Sequence, residues 1–228
     1  MFQRVFAIKR ALGDRGAGTS ERVKLDQAFN ELAKSLGESY HTAVESRAKP
    51  LLAQLRAQDA TFYAKTESAM EFIIFLSHQY FRTANMRNRM YRLRLPRLIA
   101  HNPERTWPIE SNIYATNVGA SQFLQRSSYR IVFLENPSPV SFIAGDQPVI
   151  NLNGPEVEQL CLYYPLSPAL AMVLTADQDR FPANRLTISQ LEAEAYNFAI
   201  YSKSDSQVYS NDREYLEALT QLPKTTLI

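Results

Sequence analysis

The sequence predicts an α+β protein: a helical half over residues 20–127, then a small, mainly antiparallel sheet with returning helices over 128–228. Three observations carry this prediction. Apolar residues recur at helical spacing through the first half. Short β-rich runs separated by proline and glycine turns then crowd between Tyr129 and Leu174. After Pro182, two further amphipathic stretches fold back. Helices first, then a sheet with helices returning, is the α+β pattern. With 228 residues, 45% hydrophobic and 21% charged, the chain can bury a core that needs no cross-link.

Residues 1–19 hold Gly13, Gly16 and Gly18 among small polar residues, and read as a mobile entry segment. A helix opens near Thr19 or Ser20. Its apolar positions are Leu25, Phe29, Leu32, Ala33 and Leu36, with Gly37 as its natural stop. A second helix starts near Ser39 and sets Val44, Ala48, Leu51, Leu52 and Leu55 on one face, with His41 on that face and Glu45 at its edge. Pro50 kinks it or starts a new helix. A third helix runs from about Thr66 through the central stretch, with Ala69, Phe72, Ile73, Leu76, Tyr80 and Thr83 on one face. Gln79 falls within that face and Arg82 flanks it. Residues 101–108 read as a loop broken by Pro103 and Pro108 and anchored by Trp107, and a fourth helix spans about Glu110 to Arg126.

Strands are expected at Tyr129–Leu134, Val140–Ala144, Val149–Leu152, Leu160–Tyr164 and Ala169–Leu174. Thr187 or Ser189 caps a helix carrying Leu191, Ala195, Phe198 and Ala199. Residues 206–210 are extended, and Asn211 or Asp212 caps a last helix that ends before Pro223.

Charge singles out one stretch. From Phe72 to Pro103 there is no Asp or Glu, but there are six arginines: Arg82, Arg87, Arg89, Arg92, Arg94 and Arg97. The net charge of the whole chain is +2, so the remainder carries −4. Such a segment reads either as a solvated helix whose arginine stems cover apolar surface or as a surface for phosphate or nucleic acid.

Other chemistries find little support. The single cysteine, Cys161, excludes an intramolecular disulfide and a Cys-rich zinc site, and its apolar setting argues against a reactive thiol. There is no Gly-x-Ser-x-Gly nucleophile turn, no GxGxxG and no P-loop. His41, His78 and His101 lack metal-ligand spacing. No apolar run reaches membrane-spanning length, and no secretory signal is present, so the sequence predicts a cytoplasmic protein without a membrane partner.

Several short motifs then line up in order. Phe142-Ile-Ala-Gly-Asp-Gln-Pro-Val149 resembles the Ser-Asp-x-Pro-Val segment of a large bacterial family, domain of unknown function 4238. Tyr164-Pro-Leu-Ser-Pro168 before an apolar strand is similar to its next block. Glu45 within Val-Glu-Ser, Gln79-Tyr-Phe-Arg82, and Asn197 within Tyr-Asn-Phe-Ala resemble its remaining polar features. The likeness covers about residues 38–210. The chain lacks the family's usual His-x-Val/Ile-Pro opening, and Gly145 stands where a small hydroxyl residue is usual before Asp146.

Two functional readings follow. In the first, the protein is a metal-dependent nuclease or phosphodiesterase of a bacterial defence or toxin system. Its catalytic cluster is Asp146, Glu45, Gln79 and Arg82, with Asp146 and Glu45 holding Mg²⁺ and Arg82 steadying phosphate charge. Arg87, Arg89, Arg92, Arg94 and Arg97 draw in the polyanion. In the second, the protein is a non-catalytic module that binds nucleic acid, a protein partner or a second copy, and the polar cluster is structural. Asp146 in an Asp-x-Pro turn has local reasons to be aspartate. The first reading requires the four side chains to converge in an open cleft. The second requires them to be bonded and inaccessible.

Overall fold

A computed structural model describes residues 20–93, 103–153 and 159–224. Residues 1–19, Arg94, Pro96, Arg97 and His101 lie outside the described residues, as do the side chains of Leu25, Phe29, Leu32, Ala33 and Leu36.

The first helix, α1, runs unbroken from Ser20 to Arg56. The stop predicted at Gly37 does not occur, and Pro50 starts no new helix. An interior glycine weakens a helix by about 1 kcal/mol but does not break it, so Gly37 is no stop. Pro50 sits inside the helix. Ala48, Leu51 and Leu55, on either side of Pro50, are buried in the main core. Helix α2 (Thr66–Phe81) is the most deeply buried, with Phe72, Ile73, Phe75 and Leu76 in the core.

The expected long third helix divides. Helix α3 (Ala84–Leu93) is separate from α2. Thr83 explains the break. Its hydroxyl oxygen accepts from the Met86 N–H at 3.3 Å, which is how an N-cap residue starts a helix, while its own proton goes to Gln147 Oε1. The arginines therefore do not lie on one continuous helix.

Helix α4 (Pro103–Leu124) takes in both prolines expected to lie in a loop. Pro103 is its first residue, where a missing N–H loses nothing. Trp107 is an anchor as expected, but within a helix: with Phe81, Met86 and Ala115 it forms a small core that joins α3 to α4 and to the end of α2. Gly119 lets α4 approach α2, since a Cβ there would lie 2.8 Å from Ile74 Cδ1.

The sheet contains β1 (Arg130–Glu135), β3 (Ile150–Asn151), β4 (Leu162–Ser167), β5 (Leu170–Thr175) and β6 (Arg185–Thr187), in the order β3-β4-β5-β1-β6. Its neighbours are antiparallel except β1 and β6, which are parallel. Strand β2 (Ala144–Gly145) pairs with β7 (Val208–Tyr209) in a separate ribbon. Helices α5 (Gln190–Lys203) and α6 (Arg213–Thr220) complete the chain.

Both faces of the sheet are covered, and the strand residues alternate between two cores. Ile131, Phe133, Met172 and Leu174 pack with α1 and α2. Val132, Leu134, Ala171 and Val173 pack with Ile200, Tyr201 and Leu219 of α5 and α6. This explains why β5 is buried at all six positions. A fully buried apolar side chain contributes about 1.5–3 kcal/mol relative to exposure, so this two-sided burial holds the sheet to both helical layers.

One predicted strand shrinks. Of Val140–Ala144, only Ala144 enters a strand. The backbone of the others finds partners outside a sheet: the Ile143 N–H donates to Asn197 Oδ1 at 3.0 Å, Asn197 Nδ2 donates to the Ser141 carbonyl at 2.8 Å, the Phe142 N–H donates to the Pro168 carbonyl and Asn136 Nδ2 to the Val140 carbonyl.

Candidate functional site

The four side chains predicted to form a catalytic cluster divide into three settings. Glu45 and Arg82 do meet. Arg82, at the end of α2, donates through Nη1 to Glu45 Oε1 of α1 at 2.6 Å. The pair is solvent-facing, with side chains 39% and 44% exposed for Arg82 and Glu45, so it contributes at most about 1 kcal/mol.

Asp146 lies elsewhere in the bonding network. Its Oδ1 accepts from the Asp205 N–H at 2.8 Å. Its Oδ2 accepts from the N–H groups of Ser206 at 2.8 Å and Gln207 at 3.0 Å, and from the Ser206 hydroxyl at 3.1 Å. Its own N–H donates to the Gln207 carbonyl. Burial pushes its carboxyl up, the hydrogen bonds outweigh this, and the net shift is downward. Asp146 therefore latches the loop after α5 onto β2.

Gln79 is half-buried, and its side chain makes no hydrogen bond among the described residues. The buried, bonded amide at this junction is instead Gln147, which is 2% exposed. Gln147 Nε2 donates to the carbonyls of Tyr80 at 3.0 Å and Val149 at 2.7 Å, while Oε1 takes the Thr83 hydroxyl. It ties the α2–α3 break to the start of β3. In sequence Gln147 is marked only by its place beside Asp146 in the Asp-x-Pro turn, since its partners Tyr80 and Thr83 lie more than sixty positions away.

Between α1 and α2 lies a second group that the spacing rules missed. His41 and His78 stack edge to face with centroids 5.5 Å apart, and Tyr40 covers His78 at 5.1 Å. His78 is 1% exposed, and neither of its ring nitrogens has a partner. Burial, then the charges of His41 and Arg82, push its pKa down to about 4. Burial and Arg82 also lower His41, against the pull of Glu45.

No bond links Asp146 to Glu45 among the described residues, and each carboxylate already has its partners. No group of three or more His, Cys, Asp or Glu side chains among the described residues is arranged to hold a metal ion. Cys161 is buried, and burial raises its thiol pKa, which suits an unreactive position.

The arginines behave differently. Arg87 and Arg89 are half-buried on α3 and Arg92 is exposed. Among the described residues no carboxylate pairs with any of the three; Arg87 Nε donates only to Asn88 Oδ1, at 3.3 Å. Arg94 and Arg97, expected to extend this surface, lie outside the described residues. A groove of about 270 Å³ beside β2, β4 and β7 is lined by Phe142, Leu166, Pro168 and Tyr209, and none of the predicted site residues lines it.

The fold and this geometry define an α+β protein with a basic helix held against both halves and a carboxylate used as a structural latch. The chain belongs to the family described as "Protein of unknown function (DUF4238)", whose profile matches residues 28–214. No curated protein and no solved structure gives a significant match. No described helix is long and apolar enough to cross a membrane.

Proposed function

We propose that this protein is a nucleic-acid-binding module whose contact surface is α3. The observation that carries this reading is the state of Arg87, Arg89 and Arg92. They sit on one short helix without an acidic residue, and no carboxylate among the described residues neutralises them. Guanidinium groups held at a surface without counter-ions are suited to phosphate, whose oxygens they bind in pairs. Binding of this kind follows the backbone and falls steeply with salt. The α3 anchor through Met86 and Trp107 fixes the helix before any ligand arrives.

Catalysis by the predicted cluster gains less support, because Asp146 is engaged by three backbone amides and Glu45 by Arg82. The test is incubation of the protein with labelled RNA and DNA in Mg²⁺, in Mn²⁺ and in chelator, with binding and cleavage read in parallel. The expected result is salt-sensitive binding with the nucleic acid intact. Metal-dependent cleavage, lost in a folded Asp146→Asn protein, would overturn this reading in favour of a nuclease.

A further inference from the structure

Beside α3 the structure forms a notch that the arginine count did not reveal. It is lined by Asn85 and Arg89 of α3, Asn151 of β3 and Lys203 of α5, with Tyr80, Met86, Gln147 and Ile150 as its remaining wall. No acidic side chain lines it. Lys203 and Arg89 have no ion-pair partner among the described residues. Two cations from different elements thus share one recess, with no carboxylate among the described residues to neutralise them.

The other lining groups are also donors. Asn151 Oδ1 accepts from the N–H groups of Asn153 at 3.2 Å and Cys161 at 2.9 Å, which leaves its Nδ2 as the uncommitted atom. Gln147 is fully used by Thr83, Tyr80 and Val149. Burial, then the nearby Arg89, lower the Lys203 pKa, and no carboxylate opposes them. Arg89 is thus close enough to disfavour the charged form of Lys203.

We infer that the Arg89–Lys203 notch is a seat for a single phosphate group, with Asn85 and Asn151 as supporting donors. This rests on the nucleic-acid reading for the source of the phosphate, but not for the seat itself. Its size sets what can enter. About 10 Å³ is open, close to the roughly 10–15 Å³ that one water needs. One non-bridging phosphate oxygen fits, and a base or sugar does not. The seat therefore holds a backbone in register without reading sequence. It also places α5, from the far layer, in the same surface as α3.

The test has two arms. In the first, thermal melts compare inorganic phosphate with chloride at equal ionic strength. Phosphate is expected to stabilise the wild-type protein beyond chloride. That excess should vanish in Arg89→Gln and Lys203→Gln and persist in Arg213→Gln, a charge-matched change in an exposed pair with Glu217. Lys203→Met serves as a second variant; removing one of two neighbouring cations should leave the fold intact. In the second arm, a labelled RNA oligonucleotide is titrated at several salt concentrations. Each single variant should lower the log–log salt slope by about one, and the double variant by no more, because both side chains serve one phosphate.

If phosphate stabilises no better than chloride, or if Lys203→Gln keeps the full excess, the seat is wrong, even where RNA binding survives. If RNA does not bind but phosphate stabilisation is present and lost in both variants, the seat stands and the nucleic-acid reading fails. Additive losses in the double variant would show two independent charges and overturn the shared seat.

Discussion

Asp146 illustrates how one residue type supports two opposite accounts. As a free carboxylate on a strand end it would be a metal ligand. With four hydrogen bonds from residues 205–207 it is a latch. Its partners are about sixty positions away, so no local pattern could reveal them. The latch makes a pH prediction. The folded-state pKa is depressed, so the stabilisation is present above the unfolded value and is lost as pH falls through the folded one. Acid melts of wild type should lose stability below about pH 4, and Asp146→Asn should be weaker at neutral pH by about 1–3 kcal/mol and flatter in acid. His78 adds a second window. Its folded pKa is about 4 against 6.5 unfolded. Between these values the unfolded state takes up the proton and the folded state does not, so stability rises with pH across that interval and is complete above it. His78→Leu removes two buried, unpartnered nitrogens. Chemical denaturation should find it at least as stable as wild type at pH 7, with the acid slope between pH 6.5 and 4 reduced.

At the scale of elements, the β2–β7 ribbon depends on Gly145. A Cβ there would fall 2.0 Å from Ser204 Oγ and 3.3 Å from the Gln207 carbonyl. Ser204 cannot swing away freely, since its hydroxyl donates to the Ile200 carbonyl at 2.9 Å and the residue is buried. Gly145→Ala should therefore cost about 1–3 kcal/mol in equilibrium unfolding, the usual range for overpacking, and Ser204→Ala in the same chain should restore part of it. An unchanged Gly145→Ala protein would refute the contact. The same reasoning shows what element boundaries conceal. The apolar periodicity of α2 was legible from Phe72 to Leu76, but its end was not. Thr83 stops it by capping α3 with help from Gln147, a residue 64 positions away. Gly37, Pro50, Pro103 and Pro108 all carry local helix-ending signals, yet each lies within a helix; Pro103 does so at the first position, where a missing N–H loses nothing.

Across the whole molecule, the alternation of Ile131, Val132, Phe133 and Leu134 between two cores explains why the strands read as continuous apolar runs. The α+β class was therefore legible from composition and order. The candidate site was legible only as charge. The arginine excess of the central stretch is a property of sequence, whereas the partners of each arginine are a property of the fold. Lys203 shows the difference, since nothing near it in sequence links it to Arg89, yet the two line one notch. The central claim is that α3 binds nucleic acid through its unpaired arginines. It is tested most directly by fluorescence anisotropy of a labelled RNA oligonucleotide over a salt series, comparing wild type with Arg87→Gln/Arg89→Gln/Arg92→Gln after both are shown to melt cooperatively. The account predicts binding that weakens linearly in log salt, and at least a roughly tenfold loss with a shallower slope in the triple variant. Equal affinity for the two proteins, or no binding by a folded wild type, would contradict it.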